Sequence, residues 1–292
     1  MLTSPGTPVA CKFDESGPAM ILTPDLLLAH ADGARPWPAE ARPVPEATPD
    51  PVAAAYQLQL ATSALRRARG EQPRGFKIGF TNRTIWDRYR VHAPIWGPVW
   101  STTLHQADGE GRLSLAGTCE PRIEPEIVFG LRARPADAAD LPALFEAIDW
   151  LAPGFEVVQT HRPGWVFTAP DCVADGSLHA RLLVGRRTPV RTLAADAAAL
   201  HALLATAEVE LARDGQPVER GRGANVLDSP LMALRHFLRE LRACPGAPDL
   251  QAGDVITTGT WTDAWPVQPG THWQATFSAG LGRVALRFDD AA

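Results

Sequence analysis

The sequence is short of lysine, of paired cysteines and of long apolar runs, and each shortage removes a class of protein. No apolar stretch approaches the roughly 20 residues needed to span a bilayer. The four cysteines, Cys11, Cys119, Cys172 and Cys244, are far apart and form no CxxC pair. That sets aside a zinc site or a disulfide framework and leaves free thiols in a reducing compartment. The formal net charge of -5 offers no basic excess for nucleic acid or an anionic membrane. The opening MLTSPGTPVACKFDESGPAM lacks the charged-then-apolar pattern of an export signal, so the expected location is the cytoplasm. No GxSxG elbow, no GxxxxGK[ST] loop and no GxGxxG turn is present. Lysine is the most informative scarcity. Of 28 basic residues only Lys12 and Lys77 are lysines, leaving 26 arginines. A lysine set inside an apolar segment, as Lys77 is, therefore calls for a reason beyond solubility.

What is present reads as an α+β chain. Residues 1–19, rich in Pro, Gly and Ser, are expected to be a disordered extension, with Met20 as an alternative start. Residues 20–72 form a helical region. Thr23-Pro24-Asp25 starts one helix, a proline-rich stretch over 33–51 reads as a linker or extended loop, and residues 52–69 form a second helix. From residue 73 to 292 the texture is β-rich: FKIGF, PRIEPEIVFGL, GFEVVQT, RLLVG, VITTGTW and VALRF are short strand-like runs. Asp214-Gly215 between two extended runs predicts a tight hairpin. Helices are expected around LPALFEAIDWL and from Asp228-Ser229-Pro230, where Leu231, Leu234, Phe237, Leu238 and Leu241 share a face.

The chemistry lies in acidic residues on those runs. Glu124 and Glu126, two apart in Arg122-Ile-Glu-Pro-Glu-Ile-Val-Phe129, project to one side of a strand. Glu156 sits alone in Phe155-Glu-Val-Val158. Either run by itself is also what a strand with solvated glutamates looks like. Together they supply three hard oxygen donors, suited to Mg²⁺ or Mn²⁺ rather than zinc. Lys77, in Gly75-Phe-Lys-Ile-Gly-Phe-Thr81, is placed to trade protons through a burial-lowered pKa or to pair with an anionic substrate. A snorkelling lysine is the competing reading.

These motifs resemble the 2-oxopent-4-enoate hydratase and 4-oxalocrotonate decarboxylase family, inside the fumarylacetoacetate hydrolase superfamily. GFKIGFT at 75–81 is similar to the family's G-Y-K-I-G-L-T, RIEPEIVF at 122–129 to R-x-E-x-E-I-x-F, and PGFEVV at 153–158 to P-A-I-E-I-V. Ala174-Asp175 resembles the start of A-D-N, the helix from Asp228-Ser229-Pro230 loosely resembles G-x-P-x-x-A-x-x-W-L, and AGDVITTGTWT at 252–262 is similar to A-G-D-x-I-x-x-G-S-x-T. The resemblance spans about Thr23 to Phe288 with order kept. It implies a mixed β-sandwich or roll core behind an N-terminal helical region, Mg²⁺ or Mn²⁺ on Glu124, Glu126 and Glu156, a catalytic or substrate-orienting Lys77, and a Gly259-Thr260 turn that binds the substrate carboxylate. It also implies a homo-oligomer.

The activity implied is hydration of a 2-hydroxydienoate to a 4-hydroxy-2-oxo acid in aromatic-compound catabolism. Decarboxylation of a 4-oxalocrotonate-type acid and C–C hydrolysis of an acylpyruvate are the enzymatic alternatives, and a non-catalytic 2-oxo-acid-binding relative is the alternative of another class. Asp175 and His161 are further candidates for proton handling. The chain departs from the family where Gln159-Thr160-His161 replaces D-S-R and Gly176 replaces the asparagine of A-D-N. These changes are expected near the substrate tail.

Overall fold

The computed structural model of the protein describes residues 20–137 and 140–290; the expected disordered extension, with Cys11 and Lys12, lies outside them. Helix α1 (Pro24–Asp32) starts where Thr23-Pro24 predicts, with the Thr23 hydroxyl accepting the Leu26 amide. Helix α2 (Pro51–Ala68) is capped by Asp50, which accepts the Ala53 amide. The proline-rich stretch between them is no free linker. Trp37 is buried there, and its backbone amide donates to the His161 carbonyl at 2.7 Å.

From residue 73 the chain runs β1 (Pro73–Gly79), α3 (Trp86–Tyr89), β2 (Ile95–Trp100), β3 (Leu104–Gln106), β4 (Glu110–Leu113), β5 (Arg122–Leu131) and α4 (Leu141–Ala147). It continues with β6 (Ile148–Val158), α5 (Ala169–Ala174), β7 (His179–Val184), β8 (Thr188–Pro189), α6 (Ala197–Thr206), β9 (Glu208–Arg213) and β10 (Gln216–Arg222). The last elements are α7 (Pro230–Ala243), β11 (Val255–Thr257), β12 (Trp265–Pro266), β13 (His272–Phe277) and β14 (Gly282–Phe288).

Nine strands form one mixed sheet in the order β2-β1-β11-β5-β6-β7-β3, with β12 added to β5 and β8 to β6. The pairs β1–β11 and β3–β7 are parallel. Residues 101–103 carry β2 straight into β3 at the opposite edge, and the Leu182 amide donates to the Thr103 carbonyl at 2.8 Å. One short turn thus joins the two edges, and the sheet curls into a half-barrel. A second sheet has the order β10-β9-β13-β14-β4. This mixed α+β architecture is the expected class.

Alternation sorts the large sheet into two faces. Phe76, Ile78, Ile127, Phe129 and Phe155 belong to the main core, shared with Leu234, Phe237 and Leu238 of α7 and with Trp273 and Leu286 of the second sheet. Phe76 and Phe237 have ring centroids 5.4 Å apart. A smaller cluster (Val99, Val128, Ala152, Leu182, Val184 and Val255) packs on the other face. By strand alternation Lys77, Glu124, Glu126 and Glu156 share that second face, so the charged groups lie at one end of the curl and the valines fill the rest.

The Asp214-Gly215 turn joins β9 to β10 with φ of 50° and 77°, as a two-residue primed turn requires. Ser229 caps α7 by accepting the Met232 amide, with Pro230 at the first position. The helix expected around LPALFEAIDWL ends earlier, at Ala147. Ile148 to Leu151 instead pair with β5, and Gly130 makes room for the Trp150 ring, which a β-carbon at 130 would approach to 2.0 Å. The three described cysteines are free. Among the described residues no helix is long and apolar enough to cross a membrane.

Candidate metal centre and active site

The β5–β6 pairing sets Glu124 opposite Glu156 and Glu126 opposite Gly154. Carboxylate oxygens of Glu124, Glu126 and Glu156 lie within 4.8 Å of one another. Glu126 and Glu156 are fully buried, and Glu124 is half-buried at the cavity wall.

Each buried glutamate spends one oxygen on neighbouring donors. Glu126 Oε2 accepts the Thr257 hydroxyl and, at 2.7 Å, the Gly259 amide. Only glycine fits at 259: φ is +100°, and a β-carbon would sit 2.0 Å from Thr81 Oγ1. Glu156 Oε1 is 2.9 Å from His179 Nδ1. The remaining oxygens, Glu126 Oε1 and Glu156 Oε2, have no hydrogen-bond partner. Buried anionic oxygens without donors are costly, and a hard divalent cation between them removes the cost. The donor set therefore fits Mg²⁺ or Mn²⁺.

Lys77 reaches the same place from β1. Its Nζ donates to the Ser177 carbonyl at 2.9 Å and lies 3.5 Å from Glu156 Oε2. The ammonium is buried, and burial alone would depress its pKa. Glu156, Glu124 and Glu126 outweigh that, so the net shift is upward. This reverses the expectation of a lowered lysine: with no cation bound, Lys77 stays charged. Burial, opposed by Lys77 and reinforced by Glu156, pushes the Glu124 carboxyl up to about 7. Burial and the two neighbouring carboxylates raise Glu126 well above its ordinary value.

Lys77 and Glu124 open onto a cavity of about 350 Å³. Its outer wall is aromatic: Phe80 stacks on Tyr89 at 4.7 Å, Tyr89 on Phe167 at 5.6 Å, and Trp165 tilts against Phe167 at 5.8 Å. The Arg122 guanidinium lies 4.0 Å over the Trp165 ring. Arg122 lines the cavity and makes no ion pair among the described residues.

The remaining predicted residues divide. Gly259 and Thr260 both line the cavity, but the Gly259 amide is committed to Glu126 and the Thr260 hydroxyl donates to the Thr262 carbonyl at 3.0 Å. His161 and Asp175 meet each other instead of lining this cavity, with Nδ1 to Oδ1 at 2.6 Å and the His161 amide on Oδ2 at 2.8 Å. That pairing raises the His161 pKa although burial opposes it. Gln159 is also elsewhere, accepting the Cys119 amide at 3.0 Å. The departures from the family pattern therefore do not line the cavity as expected: β6 ends at Val158, which lines it, and the chain then turns away.

Two contributors were missed from sequence. Thr257 lies in the Thr-Thr-Gly run, where alternation on β11 places it with Lys77. His179 carried no signal, because a register shift between Val157 and Val158 in the β6–β7 pairing sets its direction.

The curled mixed sheet is the fold of the fumarylacetoacetate hydrolase superfamily. No protein-family model matches the sequence. Over 237 residues it is 30% identical to 2-hydroxyhexa-2,4-dienoate hydratase of Comamonas testosteroni, covering 81% of this chain and 86% of the relative. It is 32% identical to a Pseudomonas 4-oxalocrotonate decarboxylase over 217 residues, 74% of this chain and 79% of the relative. The solved 4-oxalocrotonate decarboxylase from Pseudomonas putida G7, complexed with magnesium and adipate, superposes with a TM-score of 0.80 at 26% identity, covering 91% of this chain and 95% of that one. The chain belongs to the 2-keto-4-pentenoate hydratase and 4-oxalocrotonate decarboxylase family.

Proposed function

We propose that this protein is a Mg²⁺- or Mn²⁺-dependent hydro-lyase that adds water to a 2-hydroxydienoate of the 2-oxopent-4-enoate type, giving a 4-hydroxy-2-oxo acid in aromatic-compound catabolism. One observation carries the reading: two buried glutamates, each with an oxygen free of hydrogen bonds, stand beside a half-buried third and a buried ammonium, and the last two line a cavity. When bound, the divalent ion supplies Lewis acidity that stabilises negative charge on the oxygens of a 2-oxo acid. Glu124, Glu126 and Glu156 would hold it.

Lys77 is the candidate partner for an anionic substrate and the candidate donor of a proton to the reacting chain. Ser177 fixes the direction of its Nζ through a carbonyl. The Phe80, Tyr89, Phe167 and Trp165 wall holds the carbon tail and excludes water from it. Thr260 is the candidate donor to the substrate carboxylate, by turning its hydroxyl from the Thr262 carbonyl. His161 and Asp175 hold backbone by their mutual pair. The resemblance further suggests a cytoplasmic homo-oligomer.

The test follows the strong ultraviolet absorbance of 2-hydroxypenta-2,4-dienoate in Mg²⁺. Absorbance should fall with the wild type and hold steady with Glu156→Gln. Full turnover by the wild type in excess chelator rejects the metal role. Binding without loss of absorbance favours a non-catalytic relative.

Arg122 favours a second reading, decarboxylation of a 4-oxalocrotonate-type acid. A half-buried guanidinium without an ion-pair partner on the cavity wall suits a second substrate carboxylate. Release of CO₂ from 4-oxalocrotonate, with no loss of absorbance from the dienoate, selects that reading.

A further inference from the structure

We infer that His179 is a positioning residue for the metal-binding carboxylate of Glu156, acting as a neutral Nδ1–H donor that turns Glu156 Oε2 toward the other two glutamates. The inference rests on the metal reading of the site. The imidazole is buried between two elements, with Nδ1 2.9 Å from Glu156 Oε1 and Nε2 2.8 Å from Thr103 Oγ1.

With a neutral ring the donor sequence has one direction. The Trp100 amide donates into Thr103 Oγ1 at 3.1 Å. The Thr103 hydroxyl proton then goes to His179 Nε2, the nearer acceptor, because the Trp100 carbonyl is 3.3 Å away. With Nε2 accepting, Nδ1 carries the hydrogen, and it faces a carboxylate oxygen that accepts.

The result matches the arrangement at Glu126, where the Thr257 hydroxyl and Gly259 amide occupy one oxygen. In both buried glutamates, donors pin one oxygen and leave the other without a hydrogen bond, with Lys77 Nζ 3.5 Å from Glu156 Oε2. Neutrality matters here, because a donor without net charge can fix a carboxylate while leaving its negative charge available to a cation. Thr103 sits in the turn joining β2 to β3, so the edge-to-edge closure of the sheet sets the imidazole's orientation. Partners of this kind orient metal-binding groups, and their loss weakens metal affinity by about 10–100-fold.

The experiment measures Mn²⁺ affinity by calorimetry for the wild type, His179→Asn and His179→Leu, with circular dichroism and melting of each metal-free protein. The leucine variant should bind Mn²⁺ about 10–100-fold more weakly. Asparagine, whose amide can replace the Nδ1–H, should recover most of that loss. Equal affinity in wild type and His179→Leu overturns the assignment. A second readout needs no variant: nitrogen-15 shifts of labelled histidine in the wild type should give His179 as the Nδ1–H tautomer, and an Nε2–H tautomer overturns the inference. Failure of the wild type to bind Mn²⁺ at all removes the metal site itself, an outcome distinct from equal binding by the variants.

Discussion

Glu124 and Glu156 face one another across the β5–β6 pair, one carboxylate from each strand at the same register. Like charges so placed repel, and burial adds to the cost. This fixes how the site responds to pH. The Glu124 carboxyl, pushed to about 7, holds its proton more tightly in the folded chain than in the unfolded one, where it titrates near 4.5. Its contribution to metal-free stability is therefore fully present below about pH 4.5 and lost as pH rises through about 7.

A metal ion held by Glu124 would have to displace that proton. At pH 7, calorimetry of Mg²⁺ binding in buffers of different ionisation enthalpy should show proton release, and affinity should rise from pH 6 to pH 8. A pH-independent affinity over that range contradicts the raised carboxyl.

Lys77→Met should lower turnover by about 10²–10⁴-fold. It should also lower the melting temperature of the metal-free protein, because the nearest cation to three crowded acids is gone. Lys77→Arg should not rescue activity, since a planar guanidinium cannot take the place of an ammonium held between Ser177 and Glu156. Wild-type rates in either variant would remove Lys77 from the chemistry.

Away from the site, Glu71 ties α2 to the turn after β2. Its carboxylate accepts Arg66 Nη2 at 2.6 Å, Arg69 Nε at 2.6 Å and the Thr102 hydroxyl at 2.6 Å. Burial opposes ionisation, but these donors outweigh it and hold the pKa at about 2. The stabilisation is present above about pH 4.5 and is lost as pH falls toward 2. Glu71→Gln should cost about 1–2 kcal/mol at pH 7 after allowance for screening around the exposed arginines, and less at pH 2.5. Chemical denaturation at the two pH values checks this.

Much of the site was legible because it uses short-range pattern. Glu124 and Glu126 are two residues apart on one strand, Glu156 interrupts an apolar run, and Lys77 is nearly alone as a lysine. The strands holding these groups also announced themselves through branched and aromatic residues. Pairing was not legible. Nothing in Ile148-Asp-Trp-Leu marks it as strand until Gly130, distant in sequence, makes room for Trp150. His179 stayed hidden because its direction comes from a shifted register. His161 and Asp175 looked available because sequence does not show that each is the other's partner.

The placement of β11 has a consequence for biosynthesis. This three-residue strand is the seam between β1, which carries the ammonium, and β5, which carries two of the acids. It also leaves the ribosome after both of the strands it joins. A nascent polypeptide already holding all three glutamates would lack Thr257 and Gly259 to restrain Glu126, and would have no strand to bring Lys77 alongside. A cation held by these acids would thus have to wait for β11 to emerge, and a product ending before residue 255 would lack the complete cluster.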